Sequence, residues 1–197
     1  LSYKNLNIVI RIAIFASGTG SNAREIIKHF QNSDTISVSL IISNKQTAPV
    51  LDIGKQFDIN TLVINRVSFY KSEEILKNLL DYKIDFIVLA GFMWLIPKYL
   101  VKKYDGKIIN IHPALLPKYG GKGMYGMNVH KAVHEAKESE TGITIHFVNE
   151  HYDEGNIIFQ AKCTLDVTDT AESIAQKVHK LEHQNFPKII EKVVSGS

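Results

Sequence analysis

The sequence predicts an α/β fold, a doubly wound and mostly parallel sheet whose late strands run partly antiparallel. Three observations carry this reading. The first two-thirds of the 197 residues alternate short apolar runs with amphipathic stretches, the pattern of β-α units. Those runs are nearly continuous in Ile, Val and Leu, as strands covered on both faces require. The last third changes to longer runs in which apolar and polar residues alternate.

Taken in order, the early strands are expected at Ile8–Phe15, Ile36–Ile42, Asn60–Ile64, Phe86–Leu89 and Lys107–Ile111. The helices between them are expected at Asn22–Phe30, Ala48–Phe57, Tyr70–Tyr82 and Pro97–Lys103, with Pro97 suited to a first turn because its missing N–H is not needed there. Two long alternating strands follow, Gly142–Val148 and Asn156–Leu165, joined by the polar segment Asn149–Gly155. In the first, Ile143, Ile145 and Phe147 share one face while Thr144 and His146 share the other. In the second, Gln160 and Lys162 alternate with Phe159, Ala161 and Cys163, so both strands extend the same sheet with one polar face. A last helix spans Ala171–Val194, capped by Asp169 or Thr170 and ended or kinked by Pro187.

Composition bounds the function. With 45% hydrophobic and 22% charged residues the chain reads as an ordinary globular domain, and without a linker or repeat as one domain over 1–197. A formal charge of +3 and no Lys/Arg run argue against a nucleic-acid partner and for an anionic small molecule. One cysteine, Cys163, leaves no disulfide framework and points to a reducing, cytoplasmic setting. No apolar run reaches bilayer length, so no membrane partner is expected. Ile8–Ala16 is apolar apart from Arg11 and resembles a signal-peptide core, but Ser17–Asn22 reads as a strand-to-helix turn rather than a cleavage site. Leu1–Asn7 begin without a methionine; they are expected to be disordered or extraneous, and carry no function.

Chemistry gathers in three loops, each at the carboxyl end of an expected strand, where doubly wound sheets bind ligands. Ser17-Gly18-Thr19-Gly20-Ser21-Asn22 follows the first strand and opens the first helix. Its glycines let main chain approach an anion, and the helix start offers free N–H groups. With Ala23 it matches a dinucleotide fingerprint, yet Ser43-Asn44-Lys45 ends the second strand without the carboxylate a ribose needs, so a phosphate is favoured over NAD. The alternative is a tight turn that only packs helix on strand. Leu89-Ala90-Gly91-Phe92-Met93-Trp94 pairs accessible main chain with an apolar wall suited to a heterocycle, or is simple packing. Asn110-Ile111-His112-Pro113 turns an amide and an imidazole to one face, able to stabilise an oxyanion and handle a proton, although a lone histidine is usually structural. Asp153, in the turn Glu150–Gly155, offers a carboxylate, or is turn chemistry.

Together, Ser17–Asn22, LAGFM at Leu89–Met93, NIHPALLPKY at Asn110–Tyr119 and HFVNEHYDEG at His146–Gly155 resemble the folate-dependent formyltransferases. The phosphate loop and LEHQNFP at Leu181–Pro187 narrow the resemblance to the glycinamide ribonucleotide transformylase branch, over about Ile12–Val194. The resemblance implies a Rossmann-like formyltransferase fold. It implies transfer of the formyl group of 10-formyltetrahydrofolate to the amine of 5′-phosphoribosylglycinamide, in de novo purine (IMP) biosynthesis. It implies Asn110, His112 and Asp153 as the catalytic set, and Gly20, Ser21, Asn22 and Glu182 as substrate-binding. It implies Met93, Trp94, Leu95, Ile96, Val101, Asn110, Glu150 and Asp153 as the folate pocket, largely through main chain. Asn110 and His112 would then hold the tetrahedral oxyanion, and Asp153 would favour protonated His112 and carry a proton, directly or through a water. No metal is required, and His130 and His134 lack the Glu of a zinc-protease motif.

Some features depart from relatives or stay open. Trp94 stands where many have Arg, Gly120–Met127 is a mobile lid or a surface loop, His179 has no assigned role, and the Arg66–Lys71 region is expected to supply a basic contact. Small-molecule substrates and a monomer or homodimer are expected. The rivals are formyl-folate hydrolysis, which would want a regulatory domain before Ile8; methionyl-tRNA formylation, which would want a further domain and a basic surface; and a non-catalytic nucleotide-binding module.

Overall fold

The computed structural model describes residues 9–196; Leu1–Asn7, and Ile8 of the first expected strand, lie outside them. The chain runs β1 (Ile10–Phe15), α1 (Ser21–Phe30), β2 (Ile36–Ser43), α2 (Val50–Gln56), β3 (Asn60–Val63), α3 (Arg66–Lys71), α4 (Glu74–Asp81), β4 (Phe86–Leu89), α5 (Lys98–Lys103), β5 (Ile108–His112), α6 (Met127–Glu135), β6 (Glu140–Phe147), β7 (Ile157–Thr164) and α7 (Ala171–Ser195). No helix among the described residues is long and apolar enough to cross a membrane.

The strands form one seven-stranded sheet in the order β3-β2-β1-β4-β5-β6-β7. Strands β1 to β5 pair in parallel, and β6 and β7 are added antiparallel, so the expected mixed sheet is observed. The chain winds outward from β1 to β3 and then returns to β4 on the other side of β1. That reversal parts the loops that follow β1 and β4 and opens a crevice at the carboxyl ends of the strands.

The continuous apolar runs follow from burial on both faces. Along β1, Ile12 and Ile14 point to a layer containing α1, α6 and α7, while Ala13 and Phe15 point to a layer of α3, α4 and α5. All four are fully buried.

Three local readings are corrected. The single helix expected at Tyr70–Tyr82 is two helices. Asn65 caps α3 by accepting the Ser68 N–H at 2.9 Å, and extended Ser72, whose hydroxyl donates to the Ser68 carbonyl, ends it before α4 begins. Helix α6 went unread because its apolar face is only Val129 and Val133 with buried His130, behind a glycine-rich approach. Pro187 does not end α7, which continues to Ser195 with Phe186, Pro187 and Ile190 buried. Packing of that face offsets the lost backbone donor. Thr170 rather than Asp169 is the cap, in a reciprocal arrangement with Ser173.

The polar face of β6 is buried. Thr144 is fully buried, donating to the Ala114 carbonyl at 2.7 Å and accepting from the Leu116 N–H at 3.0 Å. Gln160 of β7 donates to both Thr144 Oγ1 and the Leu116 carbonyl. The loop after β5 lies over that face, and these hydrogen bonds fix its path toward Tyr119.

Candidate active site

The three loops meet around one cleft of about 650 Å³. Ser17, which is 2% exposed, ties two of them: its N–H donates to the Gly91 carbonyl at 3.0 Å and its Oγ accepts the Met93 N–H at 2.9 Å. This link went unread because a buried serine in a loop has no sequence signature of its own.

At one end, the turn Ser17–Gly20 delivers the chain to the start of α1. Gly20 takes a left-handed φ of 76°, and a Cβ there would lie 2.6 Å from Val50 Cγ2 of α2. Gly18 meets nothing within 4 Å and lines the cleft. Gly20 therefore serves packing, while Gly18 leaves main chain accessible to the cleft. Helix α1 has no side-chain cap and no acidic residue in its first turn, so its first N–H groups remain for an anion. Lys45 and Lys122 add positive charge along the same cleft. The Asn22 side chain is turned away from the loop and donates to Glu182 Oε2 at 2.9 Å. Glu182, 4% exposed, also accepts from His179 Nδ1 at 2.9 Å, which gives His179 a structural role. That hydrogen bond raises the His179 pKa against the effect of burial.

At the other end, Asn110, His112 and Asp153 converge with a fourth group, His146. Asn110 sits directly across from His146 in the β5–β6 pairing. Its Nδ2 donates to His146 Nε2 at 3.1 Å and makes a longer bond of 3.4 Å to Asp153 Oδ1. His146 Nδ1 donates to the Phe147 carbonyl at 2.8 Å, which fixes its tautomer and leaves Nε2 as acceptor. His112, 3% exposed, donates from Nε2 to the Tyr119 carbonyl at 2.7 Å and turns Nδ1 toward Asp153 Oδ2 at 3.5 Å. Asp153 itself has a left-handed φ of 56° and accepts the Gly121 N–H at 2.9 Å. His146 was legible only as the polar neighbour of Thr144 in an alternating strand.

Asp153 acts to favour protonated His112, as expected, but burial acts against it. Burial lowers the His112 pKa, and the Asp153 charge and the Tyr119 carbonyl only partly oppose it. Neutral His112 is therefore favoured, not the protonated form. For Asp153 burial pushes the pKa up, but the imidazoles of His146 and His112 beside it and the Gly121 N–H outweigh burial, so the carboxyl titrates below its usual range.

Between the two ends, Met93 and Trp94 line the cleft. Trp94 packs against Phe69, Tyr70 and Phe92, and the Arg66 guanidinium lies over its ring at 5.8 Å and over Tyr70 at 5.4 Å. Arg66 is the basic residue of this region that lines the cleft, and its guanidinium is held against Trp94. The remaining expected folate residues are not brought to the cleft wall by their side chains. Ile96 is 2% exposed in the core, Leu95 presents its carbonyl to the Tyr70 hydroxyl, Val101 packs on the same core, and exposed Glu150 pairs with Lys98 at 2.6 Å. Lys122, Met124 and Tyr125 place the Gly120–Met127 segment on the cleft wall rather than away from it.

Residues 10–190 match the formyl transferase family. The chain is 38% identical over 186 residues to the chloroplastic phosphoribosylglycinamide formyltransferase of Arabidopsis thaliana, covering 91% of this chain and 64% of that protein. It is 39% identical over 194 residues to the trifunctional purine biosynthetic protein adenosine-3 of Drosophila melanogaster, covering 95% of this chain and 14% of the relative. It thus spans less than two-thirds of either relative's length. The crystal structure of phosphoribosylglycinamide formyltransferase from Anaplasma phagocytophilum matches with a TM-score of 0.86 at 34% identity, over 95% of this chain and 87% of that one. A family match that takes in all seven strands, with the strand-end motifs meeting at one cleft, leaves a single placement: the chain belongs to the formyl transferase family.

Proposed function

We propose that the chain transfers the formyl group of 10-formyltetrahydrofolate to the amine of 5′-phosphoribosylglycinamide, by direct transfer through a tetrahedral intermediate, acting as one formyltransferase domain. The carrying observation is the joined Asn110–His112–His146–Asp153 cluster at one end of a cleft whose other end is an uncapped helix start. The names of the relatives point the same way, since a formyltransferase of phosphoribosylglycinamide needs an anion site and an acyl-transfer site one ribosyl glycinamide apart.

In this reading the substrate phosphate meets the N–H groups of Gly20, Ser21 and Asn22. The folate ring lies along Met93, Trp94 and the main chain of Leu95 and Ile96, with Arg66 at that wall. The amine nitrogen attacks the formyl carbon, and the carbonyl electrons move onto oxygen. Asn110 Nδ2 is the donor placed for that oxyanion, which takes over the hydrogen now held in the long 3.4 Å bond to Asp153. His112 keeps its Nε2 proton on the Tyr119 carbonyl, so Nδ1 is the ring position that exchanges protons with Asp153. The proton lost by the attacking amine passes to this pair. It is returned to the folate nitrogen as the bond from that nitrogen to the formyl carbon breaks.

The test is absorbance-monitored turnover of 10-formyltetrahydrofolate with and without phosphoribosylglycinamide. Turnover only with the acceptor is expected. Acceptor-independent turnover would replace transfer by hydrolysis, and no turnover in either case would remove the reading.

A further inference from the structure

His130 of α6 lies in the cleft wall yet belongs to neither end as described so far. The residue is 2% exposed, and its Nδ1 is buried with no hydrogen-bond partner. Placing the ring proton on Nδ1 would bury an N–H without an acceptor, an arrangement rarer in folded proteins than an unpaired acceptor. The proton therefore resides on Nε2, the nitrogen left to serve the cleft that the ring lines. The ring is also neutral. Burial, helped by His179, lowers its pKa to about 4 against the pull of Glu182. His130 thus offers the cleft one uncharged N–H donor.

Its neighbours select the ligand group. The His179 ring lies 6.3 Å away, edge to face, and His179 in turn donates to buried Glu182. Glu182 Oε2 is already engaged by Asn22 and His179, which leaves Oε1 as an acceptor in the cleft that His130 also lines. A buried carboxylate disfavours a second anion beside it, so this corner does not suit a phosphate. An acceptor and a neutral donor lining one cleft suit hydroxyl groups, each of which gives one hydrogen bond and takes another.

Resting on the proposed function, we infer that His130 is a substrate-binding residue that donates from Nε2 to a ribose hydroxyl of the acceptor, opposite Glu182. It would discriminate ribosyl substrates from deoxyribosyl ones. A site built to bond a hydroxyl rejects the analogue lacking it, because its own polar groups are then stranded.

The test compares wild type with H130F, which keeps the ring volume and removes the donor, and with H130Q, which restores a donor. Phosphoribosylglycinamide and its 2′-deoxy and 3′-deoxy analogues are titrated calorimetrically in the absence of folate, so the readout needs no chemistry. Wild type is expected to prefer the ribosyl ligand to at least one deoxy analogue by about tenfold, one hydrogen bond's worth. H130F should bind the ribosyl ligand about tenfold more weakly and lose that preference, and H130Q should regain part of both. The KM for 10-formyltetrahydrofolate should not change. Wild-type affinity and preference in H130F would overturn the inference. So would equal losses of preference and melting temperature in H130F and H130Q, which would mark His130 as packing. Failure of formyl transfer in wild type with these binding differences intact would sink the proposed function but not the hydroxyl contact.

Discussion

The two ends of the cleft are built from different materials. The β1–α1 end presents main chain: Gly18, Gly20 and the uncapped first turn of α1, with the Asn22 side chain turned away to Glu182. The β5–β6 end presents side chains: Asn110, His112, His146 and Asp153, each oriented by a hydrogen bond to main chain or to another member. A phosphate keeps its charge throughout a transfer reaction, so fixed N–H dipoles suffice to hold it. A formyl transfer creates and removes charge, and that needs groups able to gain and lose protons. Substitution should therefore act through side-chain chemistry at one end and through backbone geometry at the other.

The sharpest break of this contrast is Asp153→Asn. Asparagine tolerates the left-handed backbone of this position and can still accept the Gly121 N–H, so the fold should survive with little change in melting temperature. Proton transfer should not survive, and turnover should fall by about 10² or more, the usual scale for an acid–base group. Wild-type-like turnover would take Asp153 out of the mechanism.

The same contrast predicts where acid sensitivity lies, since the glycine loop carries nothing that titrates. His112 and His130 both have folded pKa values below the usual 6.5, so each binds its proton more readily when unfolded. Their contribution to stability is complete above pH 6.5 and declines as the pH falls below it, ending for His130 near pH 4. The His130 share is on the order of 3 kcal/mol across that window. His179, with a raised pKa, acts in the opposite direction, stabilising below its unfolded value and losing that contribution as the pH rises through its folded one. Urea unfolding at pH 7.5 and pH 4.5 should show a loss at the lower pH, and the loss should be smaller in H130Q. An equal loss in the variant would say that His130 is not held neutral.

Legibility followed the same division. The strands were readable because burial on both faces leaves continuous runs of Ile, Val and Leu; Phe86–Leu89 appears with its expected bounds. The motif residues Asn110, His112 and Asp153 were readable because the resemblance fixes residue types in order, and they do meet in space. What was not readable depends on where loops travel. Ser17 as a tie, Gly121 as a donor to Asp153 and Tyr119 as an acceptor for His112 are contacts made by loop main chain or by a common side chain. His146 and His130 were hidden differently, because a histidine on a strand or a short helix reads as solvated until the covering segment is known. The division of Tyr70–Tyr82 into two helices turned on local side-chain bonds from Asn65 and Ser72, which compete with a continuous helix.

The smallest expected effects belong to the main-chain end, and a pair of glycines separates its two duties. At Gly20 a methyl group would meet Val50 at 2.6 Å in a backbone conformation that costs any other residue energy. Gly20→Ala should therefore destabilise the fold by about 1–2 kcal/mol, read as a lower urea midpoint. At Gly18 a methyl group meets nothing within 4 Å, and its φ is not among the positive ones, so Gly18→Ala should leave stability within about 0.5 kcal/mol of wild type. Because Gly18 lines the cleft, the same methyl group should hinder close approach of an anion and raise the acceptor KM by about threefold to tenfold, with the folate KM unchanged. A stable Gly18→Ala protein with an unchanged acceptor KM would make this turn a packing device only, and the anion would then have to be sought at Lys45 and Lys122.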